Sequence, residues 1–137
     1  MSQKNRRQRA MRLYWVPTGR GEIGHMQGYS NHAKAMMKAL GGAGVKQAEH
    51  KNDSYDFAVH VCPSANFEPI PGRRNILFTT TEYIQLDLPD TLRPKAVEDA
   101  DLLMVPTKFS QNEFSKFFKV PIETVPEGFD PTAFTFA

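Results

Sequence analysis

Three glycines, one histidine and one glutamate stand where chemistry is most readily done in this chain. Gly19, Gly21 and Gly24 fall in Thr18-Gly19-Arg20-Gly21-Glu22-Ile23-Gly24, a G-x-G-x-x-G spacing that follows the apolar run Leu13–Val16 and Pro17. Glycines let backbone N–H groups approach a phosphate, and a helix opening behind such a loop favours negative charge. A dinucleotide site also wants that helix to begin at the loop and an acid at the end of the second strand. Here Ser30 is the natural N-cap, which leaves His25–Tyr29 between loop and helix, and Glu49 is the acid available. A plain tight strand-to-helix turn is the alternative reading of the same glycines.

His60 lies near the end of Asp56–Val61 (DFAVHV), and Glu82 lies just past Asn75–Thr79. Open α/β sheets bind their ligands at the carboxyl ends of parallel strands, so both residues are candidates for an acceptor site. Alternation along DFAVHV leaves His60 either in a cleft or packed against a neighbouring layer. Glu82 suits an acceptor hydroxyl or a backbone cap equally. His25, His32, His50 and His60 show no metal-ligand spacing, and no metal is expected. Arg73-Arg74 reads as a solvated loop edge before it reads as a phosphate clamp.

These residues need a scaffold, and the last third of the chain states it most clearly. Leu102–Val105 is a short apolar strand closed by Pro106. Ser110 and Glu113 form a capping box, and Phe114, Phe117 and Phe118 follow as one aromatic face to be buried in the core. Pro121 stops that helix and Ile122–Val125 is the next strand, a right-handed parallel crossover. Earlier, Leu13–Val16 is a strand, and Ala33, Met36, Met37 and Leu40 are the apolar face of a helix. Gly41-Gly42 supplies that helix with a left-handed cap. A weak strand runs from Val45 towards Glu49. Pro63–Gly72 is a loop, and Asp90 or Thr91 opens a helix with Pro94 in its first turn. Strands alternating with helices predict an α/β fold, a three-layer Rossmann-like sandwich with a mostly parallel sheet.

A chain of 137 residues is enough for one core, and its net charge of +2 is unremarkable. The charge is uneven: Lys4, Arg6, Arg7, Arg9 and Arg12 fall in the first dozen residues without an acid. Residues 1–10 therefore read as a basic flexible arm and 11–137 as the domain. The arm is either solvated or makes a weak contact with anionic membrane, and nucleic acid is not an expected partner. Cys62 is the sole cysteine, so no internal disulfide or thiolate cluster forms. Without an apolar signal core or a membrane span, the expected location is cytoplasmic, at most peripheral to a membrane.

The run ILFTTTEYIQLDLPDTLRPKAVEDADLLMVPTKFSQNEFSKFFKVPIETVPEGFDPTAF resembles the end of the N-terminal domain in glycosyltransferases built from two Rossmann-like domains (the GT-B type, group 1 family). The matching pieces are Thr81-Glu82, Leu88-Pro89, Ala100-Asp101, Val105-Pro106-Thr107-Lys108-Phe109-Ser110 and Val125-Pro126-Glu127-Gly128-Phe129-Asp130, with Phe134 behind. No single piece is diagnostic, but their order and spacing are fairly specific. The resemblance implies an acceptor-side domain of a nucleotide-sugar-dependent hexosyltransferase. It places Gly19, Arg20 and Gly21 in the loop facing the donor diphosphate, with Glu82 on the acceptor side. A sugar or glycan acceptor and a C-terminal donor-binding domain, in cis or in trans, are the implied partners. The nucleotide sugar is a substrate, and no cofactor is expected. The basic residues and glutamate pair of the donor half are absent, so this chain is expected to be inactive alone. A dinucleotide-binding oxidoreductase-like domain and a non-catalytic remnant of a glycosyltransferase are the alternatives.

Overall fold

The computed structural model describes residues 10–17, 25–79 and 95–126. In chain order these form β1 (Arg12–Trp15), α1 (His25–Gly42), β2 (Lys46–Gln47), β3 (Phe57–Val61), β4 (Asn75–Phe78), β5 (Leu102–Val105), α2 (Lys108–Ser115) and β6 (Ile122–Thr124). Short 3-10 turns at Ser64–Asn66 and Lys95–Asp99 precede β4 and β5. The strands make one sheet in the order β2-β1-β3-β4-β5-β6, and every pairing is parallel. The α/β sandwich expected from the alternation of strands and helices is therefore present.

Period-two alternation sorts the side chains onto two faces. One face carries Leu13, Val59, Val61 and Phe78, packed under Ala33, Met36 and Leu40 of α1. The other carries Cys62, Leu77, Leu103 and Val105, packed under Phe114 of α2, Phe118 just beyond that helix, Val97 and Phe67. The registers agree: Val61 stands opposite Phe78, and Leu77 opposite Leu103. Helical layers thus cover both faces, and Phe114 at 1% exposure shows where the aromatic face of α2 went. Burying one such ring contributes about 1.5–3 kcal/mol.

Four expected helix ends shift. The capping box on Ser110 and Glu113 does not form. Thr107 is the N-cap, its side-chain oxygen accepting from Ser110 N at 3.0 Å. This start lets Ser110 sink to 3% exposure, and Glu113 instead meets Lys116 at 2.8 Å. The helix also ends at Ser115, well short of Pro121, where Ser115 Oγ donates to Asn112 O at 2.8 Å.

In α1 the break is equally displaced. Gly41 and Gly42 stay helical, and Gly44 takes the left-handed φ of 91°. Val45 N then donates to Leu40 O at 3.0 Å and Gly44 N to Gly41 O at 3.1 Å, the paired bonds of a Schellman ending. Leu40 and Val45 pack on the same core cluster, which locks the turn. The other end of α1 lies at His25, so Ser30 is inside the helix rather than at its start. The helix expected from Asp90 or Thr91 has its start outside the described residues; the described part is the 3-10 turn that buries Val97.

Among the described residues, no helix is long and apolar enough to cross a membrane.

Candidate functional site

Parallel pairing sends all six strands out at the same edge. After β1 the chain moves outward to β2, then returns across β1 to β3, so the order reverses between β1 and β3. A crevice at such a reversal, outside the carboxyl ends, is where open α/β sheets take ligands. Val16 N donates to Val59 O at 2.9 Å, which carries the β1–β3 pairing past the formal end of β1. Beside that exit, β3 ends at Val61 and runs into Cys62, Pro63 and Ser64.

Gly19, Arg20 and Gly21 lie outside the described residues, and so does Glu82. Their flanks are described. The strand before the glycine loop ends at Trp15, and α1 begins at His25, directly after Gly24. The five-residue gap expected between loop and helix is therefore absent. The strand before Glu82 ends at Phe78, and its pairing with β3 puts both carboxyl ends on one edge.

His60 is a packed strand histidine. It is 3% exposed, its ring meets Phe67 edge-on at 4.8 Å, and its Nε2 lies 2.8 Å from Asn75 Oδ1. Asn75 settles the proton. Its Nδ2 donates to Ile70 O at 3.1 Å and to Arg73 O at 3.0 Å, while Oδ1 accepts from Ile70 N at 2.9 Å. With Oδ1 thus placed as the acceptor, Nε2 of His60 carries the hydrogen. Burial holds the imidazole below its ordinary value of 6.5, opposed by the hydrogen bond to Asn75, which favours the charged form. The residue ties β3 to β4 and to the crossover between them.

The strand ends are rich in small neutral groups. Cys62 and Ser64 are buried, and burial pushes the Cys62 thiol up to about 12, so it is no nucleophile near neutrality. Thr79, just past β4, is 0% exposed, and its hydroxyl has no hydrogen-bond partner among the described residues. Thr107 caps α2 on the same edge. Glu49 follows β2 and is exposed; Asp53 close by accepts from the amides of Glu49 at 3.2 Å and His50 at 3.0 Å. Two other aspartates work at the opposite edge. Asp56 accepts from Arg12 N at 2.9 Å while its own N donates to Arg12 O at 2.8 Å. Asp101 accepts from Asn75 N at 2.7 Å while its N donates to Asn75 O at 2.8 Å.

Arg73 also belongs to the amino edge. It lies 4.2 Å over the Tyr55 ring, which stacks on Tyr14 at 5.3 Å, so it is no clamp for a phosphate at the carboxyl edge. Among the described residues no group of three His, Cys, Asp or Glu is placed to hold a metal ion. Of the hydroxyls at this edge, Ser64 and Thr79 are buried, and Thr107 is exposed and caps the start of α2. Sequence reasoning passed over Asn75, Thr79 and Thr107; only the pattern Pro-Thr ahead of a helix was there to flag the last of them.

No family model, no curated protein and no solved structure matches this chain.

Proposed function

We propose that this domain is the acceptor-side half of a nucleotide-sugar-dependent glycosyltransferase, working with a donor-binding domain in cis or in trans. The observation that carries the reading is the start of α1 at His25. A G-x-G-x-x-G loop that leaves β1 beside the β1–β3 reversal and enters a helix at once has the connectivity of a phosphate-facing loop. The order of segments from Thr81 to Phe134 turns that general reading towards sugar transfer. In it, Gly19, Arg20 and Gly21 face the donor diphosphate and Glu82 faces the acceptor. His60 supports the crevice from behind and does not touch the acceptor.

The same helix start favours a second reading, a dinucleotide-binding domain with Glu49 as the ribose partner. Calorimetric titration of the chain with a nucleoside-diphosphate sugar, with glycan acceptors and with NAD(H) separates the two. Acceptor binding without NAD(H) binding is the result expected; saturable NAD(H) binding lost in Glu49→Ala overturns the sugar-transfer reading. Turnover is expected only when a donor-binding domain is supplied. Acceptor-dependent release of nucleoside diphosphate by the chain alone would show that no second domain is needed.

A further inference from the structure

Cations gather at the amino edge of the sheet. Arg12 of β1 stands directly opposite Lys46 of β2. Partners in a parallel pair share a face, and like charges opposite one another in a sheet cost stability. Among the described residues neither is in an ion pair; that contact is made by Lys116 and Glu113. Two residues along β1, on the same face, Tyr14 stacks on Tyr55 at 5.3 Å, and Arg73 lies 4.2 Å over the Tyr55 ring. Arg74, beside it at the same edge, is exposed. The helix α1 packs on the opposite face, and α2 covers the far strands, so this end of the face has no described helix on it.

We propose that this amino edge docks on an anionic phospholipid surface, with Arg12, Lys46, Arg73 and Arg74 meeting headgroup phosphates. Charge complementarity chooses the occupant. Glu49, Asp53 and Asp56 on the loop between β2 and β3 are the nearest acids; Asp53 and Asp56 are held by backbone amides, and Lys51 joins the cations there. Glu98, Asp99 and Asp101 precede β5, which β3 and β4 separate from β1. That separation is about 14 Å, beyond a Debye length of about 8 Å. The sequence leading into β1 adds Lys4, Arg6, Arg7 and Arg9 without an acid. A single-stranded nucleic acid, the rival polyanion, needs open aromatic faces for its bases. Here the Tyr55 ring is engaged by Tyr14 and Arg73, and its hydroxyl donates to Lys51 O at 2.8 Å. Met11, 49% exposed beside Arg12, supplies an apolar side chain that suits the acyl boundary of a bilayer.

Docking by this edge also sets an orientation. All strands run from the amino edge to the carboxyl edge, so they lead away from the lipid. The five residues of β3 span roughly 17 Å. The crevice at the β1–β3 reversal therefore opens towards water, on the far side of the domain from the headgroups. The inference is independent of what that crevice binds.

Co-sedimentation of the full chain with vesicles of equal parts phosphatidylserine and phosphatidylcholine, and with vesicles of phosphatidylcholine alone, tests the proposal. Binding to the anionic vesicles alone is expected, weakening as salt rises. The double variant Arg12→Gln/Lys46→Gln should lose roughly thirtyfold in partitioning. Lys108→Gln/Lys119→Gln, which removes the same charge from exposed positions on and after α2, should lose less than about threefold. No binding to anionic vesicles, equal binding to neutral ones, or equal losses in the two double variants overturns the proposal. Tighter binding to a single-stranded oligonucleotide than to the anionic vesicles overturns it as well. Should Arg12→Gln/Lys46→Gln fail to fold, exposed Arg74→Gln takes its place, with an expected loss of roughly fivefold.

Discussion

The Thr107 side-chain oxygen accepts from the Ser110 amide at 3.0 Å, and this one bond fixes where the second helix begins. Thr107→Ala should therefore destabilise the domain by about 1 kcal/mol, and Thr107→Ser by clearly less, since serine caps as well. Urea denaturation of the two variants checks this. Equal losses would place the helix start elsewhere.

The aromatic residues of α2 and of the turn that follows it should separate by depth. Phe114→Ala should cost about 3–5 kcal/mol because the ring is 1% exposed, whereas Phe109→Ala should be close to neutral at 67% exposed. Phe117 packs only partly against the core and should fall between them. Midpoints of chemical unfolding give the ranking.

Glycines at the end of α1 should respond in opposite directions. At Gly41 a methyl group meets nothing within 4 Å in a helical conformation, so Gly41→Ala should stabilise by about 0.5–1 kcal/mol. At Gly44 the space is equally open but φ is 91°, so Gly44→Ala should destabilise by about 1 kcal/mol. Thermal melts of both variants provide the comparison, and a shared sign would contradict the Schellman ending.

Cys62 should be silent in the native protein. With its thiol pushed up to about 12 and 6% exposed, it should resist iodoacetamide at pH 8 and react fully in denaturant. Mass spectrometry of labelled protein reads the outcome. Because the thiol is raised in the folded state, its contribution to stability is present below its ordinary 9.0 and is lost as pH rises beyond that.

Asp101→Ala should weaken the start of β4. The carboxylate accepts from Asn75 N at 2.7 Å, but the residue itself is exposed, so about 1 kcal/mol is the expected loss. Hydrogen exchange should show it at the Asn75 amide before the strand centre at Leu77. Unchanged exchange at Asn75 would mean that the backbone bond from Asp101 N holds the strand end unaided.

Strand positions were legible because burial on a two-residue period and proline boundaries are local properties. Leu102–Val105 was readable to the residue, and Phe57–Val61 and Asn75–Phe78 to within one at an end. The α/β class followed from the same alternation. Helix termini were not so determined. Both Ser30 and Ser110 have the chemistry of a cap, yet each stands inside a helix, because packing of the apolar face on the sheet rewards an earlier start. The glycine pair 41-42 likewise lost to Gly44, whose left-handed turn brings Val45 onto Leu40.

For the site the division is sharper. The sequence by itself placed His60 near the end of a strand, but period-two alternation cannot say which layer its ring meets. Only the tertiary fold did that, by setting Asn75 on the neighbouring strand and Phe67 on the crossover against it. The reversal between β1 and β3 is likewise invisible in a list of strands, since it depends on which strands pair across long separations. The glycines after Leu13–Val16 lie outside the described residues; what the sheet order adds is that the strand before them ends on the same edge as β3 and β4, because parallel strands align their carboxyl ends.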